Sequence, residues 1–525
     1  MTTPLLSYTG NALTLSKGIL ASRLLGFVRD AAMAALLGGG WMADALLLAF
    51  RLPNFARSLL ADGAFAYTLV PAYRSLRDRD PERAWSFVRS MTLTLFFFFG
   101  IVVILGAVFS DSVAIIFAPG FADMMDVLTM ASTFMALCLL SLPLVSGAAV
   151  NSAALMAEGY FNPPAYASAV FNLVVIASTA LAFFLYGAGT DQAPYVLCIG
   201  VIVAGTVQWS YQAFFLHRLG FNLCGPVRMR DSELISALRT LPQSVFAVGG
   251  HQINLLVATL LASFLAEGSI SALYFAERLI GFPLGIIGAS MGLAALSDLS
   301  MITPSLEKGP EQAEAKARFT EHFVKANKVT LYFALPAAVG TACLAIPLTS
   351  VIFGYGEFDQ EALARTSEAL FAYLVGLPAL VLVRPLLAGL SALGRTTASM
   401  QAALAGLIGT AAFGSLFLLT GAAWGPALAV SLAAWTNAAF LMRSLAKRGY
   451  APLPDLIWPL KSLLACAVMA LCVVFVAEMF SSNIAKVGAI PFGVAVYLLM
   501  TRLLGMEESA VTLRFVWGTV LGKRK

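Results

Sequence analysis

Polar breaks punctuate long apolar runs along the whole chain. The runs have neither the alternation of half-buried strands nor the single apolar stripe of a surface helix. A helix that crosses hydrocarbon needs about 20 mostly apolar residues. Fourteen stretches meet that requirement, near 12–37, 43–73, 88–111, 126–157, 164–187, 193–216, 234–265, 269–300, 327–352, 366–392, 399–419, 424–445, 457–479 and 487–505. Several exceed the bilayer width, which predicts tilted or kinked helices. The expected fold is an all-α polytopic membrane protein of about 14 transmembrane helices.

Composition agrees. Of the 525 residues, 59% are hydrophobic and 12% are charged, against about 25% charged in a soluble domain. The first ten residues lack a basic n-region, so no cleavable signal peptide is expected. The six cysteines are scattered without a CxxC pair, and the three histidines form no ligand cluster. Packing is therefore expected of the cysteines, with no metal and no cofactor.

Basic residues fall on alternate loops. Arg74, Arg77, Arg79, Arg83 and Arg89 share one set with Arg218, Arg228, Arg230, Lys308, Lys316, Arg318, Lys325, Arg395, Arg443, Lys447, Arg448 and the tail GKRK. The other set holds few, Arg365 and Lys486 being the exceptions. The positive-inside rule then puts both termini in the cytoplasm. Orientation and attraction to anionic membrane lipids account for the net charge of +5, so no nucleic-acid partner is implied.

An internal repeat is visible. ALLLAFRL (45–52) and ALYFAERL (272–279) agree at five of eight positions, each followed by a proline, Pro53 and Pro283. The offset of 227 residues matches six spans with their loops, and an even number of spans preserves orientation. This predicts an N-terminal six-helix bundle (1–225), a second related by a parallel pseudo-repeat (226–450), and a C-terminal two-helix hairpin with a basic tail (451–525).

Charges inside the runs carry the functional signal. Lys17, Arg23, Arg29, Arg51, Arg57, Arg278 and Arg384 are accompanied by only four acids: Asp30, Asp44, Asp62 and Glu277. One such charge at the bilayer centre costs ~2.5–3.5 kcal/mol. Internal pairing explains part of the set, but the cations exceed the acids by three. Asp44 and Arg51, seven apart, share a helical face. A kink at Pro53 would turn Arg51 and Arg57 towards one cavity. Surplus guanidinium in a low-dielectric cleft calls for an anionic ligand, and its planar fork suits phosphate. The GASMG stretch (288–292) lies inside a span and reads as helix packing rather than a nucleophile elbow.

Five stretches resemble a known family: SRLLGFVRDAAMAALLG (22–38), ADALLLAFRLPNFARSLLADGAFAYTLVP (43–71), APGF (118–121), YFAERLIGFPLGIIG (274–288) and GYGEF (354–358). They are similar to the MurJ/MviN family, of the multidrug/oligosaccharidyl-lipid/polysaccharide exporter superfamily. The resemblance implies a bacterial inner-membrane flippase for lipid II, the undecaprenyl-diphosphate-linked peptidoglycan precursor. It makes the chain a transporter rather than an enzyme, with proteins of cell-wall synthesis as candidate partners.

The family's essential arginines fall on Arg23, Arg29, Arg57 and Arg278, and its other charges on Asp44, Arg51, Asp62 and Glu277. Substrate binding is expected of Arg23, Arg29, Arg51, Arg57 and Arg278, and gating or charge pairing of Asp44, Asp62 and Glu277. Two departures stand out: Gly281 replaces an acid that some relatives carry, and SALGRTTAS, with Arg395, replaces an acidic motif. The second bundle has few acids within its apolar runs, Glu277 and Asp298 being those of 269–300, so a sodium site there is not expected.

Three rivals share the features in part. A flippase for another polyprenyl-diphosphate-linked glycan would need the same cations. A drug-cation exporter would want an anionic or aromatic cavity, whereas the surplus charge here is cationic. An enzyme acting on prenyl diphosphates would need clustered carboxylates, and no DDxxD-type cluster occurs.

Overall fold

The computed structural model describes residues 4–59, 65–303, 312–394, 396–450, 455, 457–510 and 512; side chains at 4–16, 59, 65–67, 243–251, 289 and 396 are not described. Every regular element among the described residues is helical. By its contacts the chain divides into two compact units. Met1–Ser271 with Tyr355–Ala362 form the first, and Ala272–Gly354 with Leu363–Lys525 the second.

The first unit contains α1 (Pro4–Leu37), α2 (Trp41–Leu59), α3 (Phe65–Arg77), α4 (Pro81–Val108), α5 (Ser110–Phe117), α6 (Met125–Leu139), α7 (Leu142–Ala157), α8 (Asn162–Tyr186), α9 (Ala193–Arg218) and α10 (Ser232–Ala262). The second is built from α11 (Ser269–Pro283), whose first turn belongs to the first unit, α12 (Ala289–Ile302), α13 (Gln312–Cys343), α14 (Ala345–Phe353), α15 (Gln360–Ala392), whose residues up to Ala362 also belong to the first unit, α16 (Thr396–Leu418), α17 (Gly425–Ala446), α18 (Ile457–Glu478), α19 (Asn483–Val487) and α20 (Ala489–Leu503).

Ten described helices are long and apolar enough to cross a membrane, or eleven if α13 and α14, bent by 74°, form one span. The expected runs at 12–37, 43–73 and 234–265 fall outside that set, and some residues or side chains of each lie outside the described part. The run at 43–73 is divided between α2 and α3, and the run at 126–157 is two helices meeting at Leu140–Ser141. Between α11 and α12 the chain makes a π turn, Leu284–Gly288, directly after Pro283, whose missing amide hydrogen breaks the regular ladder.

Local chemistry sets the helix ends. Asp80 accepts from the amides of Glu82 and Arg83 at 3.1 Å each, with Pro81 in the first turn of α4. Asp231 accepts from Glu233 N at 2.9 Å at the start of α10. Both satisfy donors that a helix leaves unpaired.

At one end of the first unit an aromatic core joins α3, α4 and the loop after α9. The rings of Tyr73 and Trp85 lie 5.6 Å apart, and those of Trp85 and Phe221 5.5 Å. Arg77 covers Trp85 at 5.2 Å and pairs with Glu158 at 2.7 Å. Buried Arg89 is clamped by the carbonyls of Asn222 (2.7 Å) and Pro226 (2.9 Å), which fixes the α9–α10 loop.

The C-terminal hairpin of α18 and α20 is bound to α13. Tyr497 Oη donates to Tyr332 O at 2.9 Å, and Tyr332 Oη lies 3.0 Å from Thr501 Oγ1. Cys138 on α6 and Cys198 on α9 approach to 3.7 Å, Sγ to Sγ, as free thiols; their spacing, 60 residues apart, did not point to that contact.

Asp231 also receives a two-pronged contact from Arg83, at 2.7 and 3.1 Å. The guanidinium holds its carboxyl below the ordinary carboxylate range. A depressed folded value means stabilisation that is present above the unfolded value, about 3.9, and lost as pH falls through the folded one. Acidifying the purified protein from pH 5 to pH 3 should therefore lower its melting temperature, and Arg83→Ala should remove part of that dependence.

Candidate functional site

Arg29 and Asp30 lie near the C-terminal end of α1 and are almost fully buried. Arg29 Nη2 donates to Asp30 Oδ1 at 2.7 Å and Nε to the same oxygen at 2.9 Å. Its Nη1 donates to Asn172 Oδ1 on α8 at 2.9 Å, and its Cζ sits 5.1 Å from the ring of Phe50 on α2. Asn172 in turn donates to Ser22 O at 2.9 Å. Gly26 makes this approach possible, because a Cβ there would come within 3.3 Å of Asn172 Nδ2. The guanidinium is thus fixed by three helices, as a buried charge requires. Asn172 was not anticipated; an asparagine inside the apolar run 164–187 was the available signal.

Six residues earlier on α1, Arg23 is exposed. Arg51 is buried and donates to Leu255 O on α10 at 3.2 Å. Arg57, in the last turn of α2, is half-buried and reaches back to Asn54 Oδ1 at 3.3 and 3.4 Å. Arg51 thus bonds to α10 and Arg57 to its own helix. Asp62 lies outside the described residues.

Asp44 is buried, and backbone amides engage both its oxygens. Gly268 N donates to Oδ2 at 2.8 Å and Ser271 N to Oδ1 at 2.7 Å, which caps the first turn of α11. Ser271 Oγ answers by donating to Gly39 O at 3.2 Å. Asp44 and Ser271 occupy equivalent positions in the 227-residue repeat.

Two further loops close on the same α1–α2 turn. Glu357 N donates to Ala35 O at 3.0 Å, and Gly189 N to Leu36 O at 2.9 Å. Gly356, with φ +62°, lies so close to Ala35 O that a side chain would not fit. Asp44→Ala should strand two buried amides, at a cost of about 1–3 kcal/mol. Thermal unfolding in detergent should show a clear drop, with Asp44→Asn in between.

In the second unit, Glu277 and Arg278 are half-buried on α11. Arg278 Nη2 donates to Tyr274 Oη at 3.1 Å, and its Cζ lies 4.6 Å from the Tyr274 ring. Gly281, one turn on, is exposed with open space where a side chain would be. The structure therefore gives Arg29, Arg51 and Asp44 each its own buried polar contacts within the first unit. It leaves Arg23 on a surface and sets Arg278 on an aromatic platform in the second. Each of the four arginines carries hydrogen-bond donors on its own helix, a chemistry that suits anions.

The profile of the family described as "Lipid II flippase MurJ" matches residues 33–494. The probable lipid II flippase MurJ of Haemophilus influenzae is 31% identical over 82% of this chain and 84% of that protein. A solved lipid II flippase MurJ in an inward closed conformation shares the fold, with a TM-score of 0.77 and 23% identity over 94% of this chain and 98% of that one. An inward-facing multidrug resistance MATE family transporter of the MOP superfamily shares it more distantly, with a TM-score of 0.61 and 15% identity over 83% of this chain and 98% of that one. The chain belongs to the lipid II flippase MurJ family.

Proposed function

We propose that this chain carries lipid II from the cytoplasmic to the periplasmic leaflet of the inner membrane by alternating access, and that its intramembrane arginines hold the diphosphate. One observation carries the reading: in a chain of this family, guanidinium groups outnumber carboxylates within apolar helices. The sugar–peptide head cannot cross hydrocarbon unaided, since its polar groups would lose water without gaining partners. A dianion offsets the excess positive charge and lowers the cost of closing the site around it.

In this scheme Arg23, Arg29, Arg51, Arg57 and Arg278 bind the diphosphate. Exposed Arg23 and half-buried Arg57 meet it first, while Arg29 exchanges part of its contact with Asp30 and Asn172 for phosphate. Asp44 acts as a latch that releases its two amides when the periplasmic side opens, and Asp62 and Glu277 act as charge partners. The positive-inside pattern supports cytoplasmic termini and basic loops; the repeat supports the second bundle, and the hairpin lies outside it. The surplus of arginine within the apolar runs supports transport rather than catalysis. The membrane potential, worth about 2.3 kcal/mol per charge per 100 mV, is one available drive.

Depleting the protein from growing cells, while following which face of the membrane exposes lipid II, tests the reading. Lipid II should accumulate on the cytoplasmic face. An unchanged distribution, or accumulation of a different polyprenyl-linked glycan, would overturn it.

A further inference from the structure

Arg384 and the glycine pair Gly288 and Gly292 have no part in the scheme above, and the structure brings them together. Arg384 is on α15, in the second unit with α11 and α12. A Cβ at Gly292 would lie 3.2 Å from Arg384 Cβ, and one at Gly288 would lie 3.5 Å from Arg384 Cγ. The two glycines, one turn apart, form a notch in which the arginine stem rests. Gly288 also closes the π turn Leu284–Gly288, a distortion that recurs at functional sites.

The surroundings set this arginine apart. Leu382, Pro385, Leu386 and Ala388 are buried, yet Arg384 is exposed. Among the described residues no carboxylate or other acceptor meets its guanidinium. It lies eight residues before the end of α15, about 12 Å by helical rise. It is thus a cation with its stem seated against two glycines and its donors meeting no acceptor among the described residues, and a fork of donors suits phosphate.

We propose that Arg384 is a phosphate-binding residue of the transport path, gripping the diphosphate of the lipid substrate nearer the basic-loop end than Arg278 does. Gly288 stands ten residues after Arg278, roughly 15 Å along the helix, so the two arginines mark successive positions. The inference rests on the diphosphate-carrying reading above. The Gly288–Gly292 notch holds the stem; the guanidinium contacts the ligand.

The test measures binding of undecaprenyl diphosphate, undecaprenol and phosphatidylglycerol to the purified full chain and to Arg384→Gln, Arg384→Lys and Gly292→Val. Arg384→Gln should weaken diphosphate binding at least tenfold while leaving undecaprenol and phosphatidylglycerol binding unchanged. Arg384→Lys should keep part of the affinity, and Gly292→Val, which displaces the stem, should mimic the glutamine variant. Equal diphosphate affinity in the parent chain and Arg384→Gln overturns the role of Arg384 and leaves the transport reading standing. Loss of phosphatidylglycerol binding alone assigns the site to bulk lipid and also overturns it. Failure of the parent chain to prefer diphosphate over undecaprenol overturns the transport reading itself.

Discussion

Arg278→Ala should abolish lipid II translocation while the protein remains folded in the membrane. The side chain is half-buried and rests on Tyr274, to which it donates at 3.1 Å. Truncation leaves a tyrosine that can keep its ring packing, so the fold loses little. The ligand loses charge-assisted hydrogen bonds of ~1.5–3 kcal/mol each, and two of them amount to a drop of about 100-fold or more in translocation at limiting substrate. Reconstituted vesicles with accessible-leaflet labelling of lipid II provide the readout. Tyr274→Phe, which removes only the hydroxyl, should cost far less than Arg278→Ala. Translocation by Arg278→Ala at the parent rate would remove this arginine from the mechanism.

Arg29→Ala should fail in a different way, by losing stability as well as function. Its partner Asp30 is buried at 1% exposure, and the ion pair spans 2.7 Å. Removing one member of a buried pair leaves an uncompensated charge, at a cost of about 3–5 kcal/mol. Asn172 would lose its donor at the same time. The melting temperature in detergent should fall steeply, and adding Asp30→Asn to Arg29→Ala should recover part of the loss. Recovery of stability without recovery of transport would separate the two duties of Arg29. A single variant as stable as the parent would show that the pair does not hold α1, α2 and α8 together.

The contrast between these two arginines shows what the sequence could and could not reveal. Run length was sufficient for the helical membrane class, because hydrocarbon imposes a length that can be counted. The surplus of arginine was equally plain. The partners were not, because they come from distant segments: Asn172 is 143 residues from Arg29, and the amides that engage Asp44 are 224 and 227 residues away. Seven-residue spacing put Asp44 and Arg51 on one face, yet the carboxylate turns to the start of α11 and the guanidinium to Leu255 O on α10. Helical geometry fixes the direction in which a side chain leaves its helix. The acceptor it meets is fixed by packing that periodicity does not record. The Gly288–Gly292 pair illustrates the same limit: a spacing that signals close helix packing proved to accommodate the stem of an arginine from α15.

The central claim is that guanidinium groups lodged among apolar helices grip a pyrophosphate. It is tested most directly by the affinity of the purified chain for three ligands with one tail: undecaprenyl diphosphate, undecaprenyl phosphate and undecaprenol. Affinity should fall in that order, by at least about 100-fold from first to last, and added salt should erode the difference. Equal affinity for all three would show that the tail alone is recognised, and would contradict the claim.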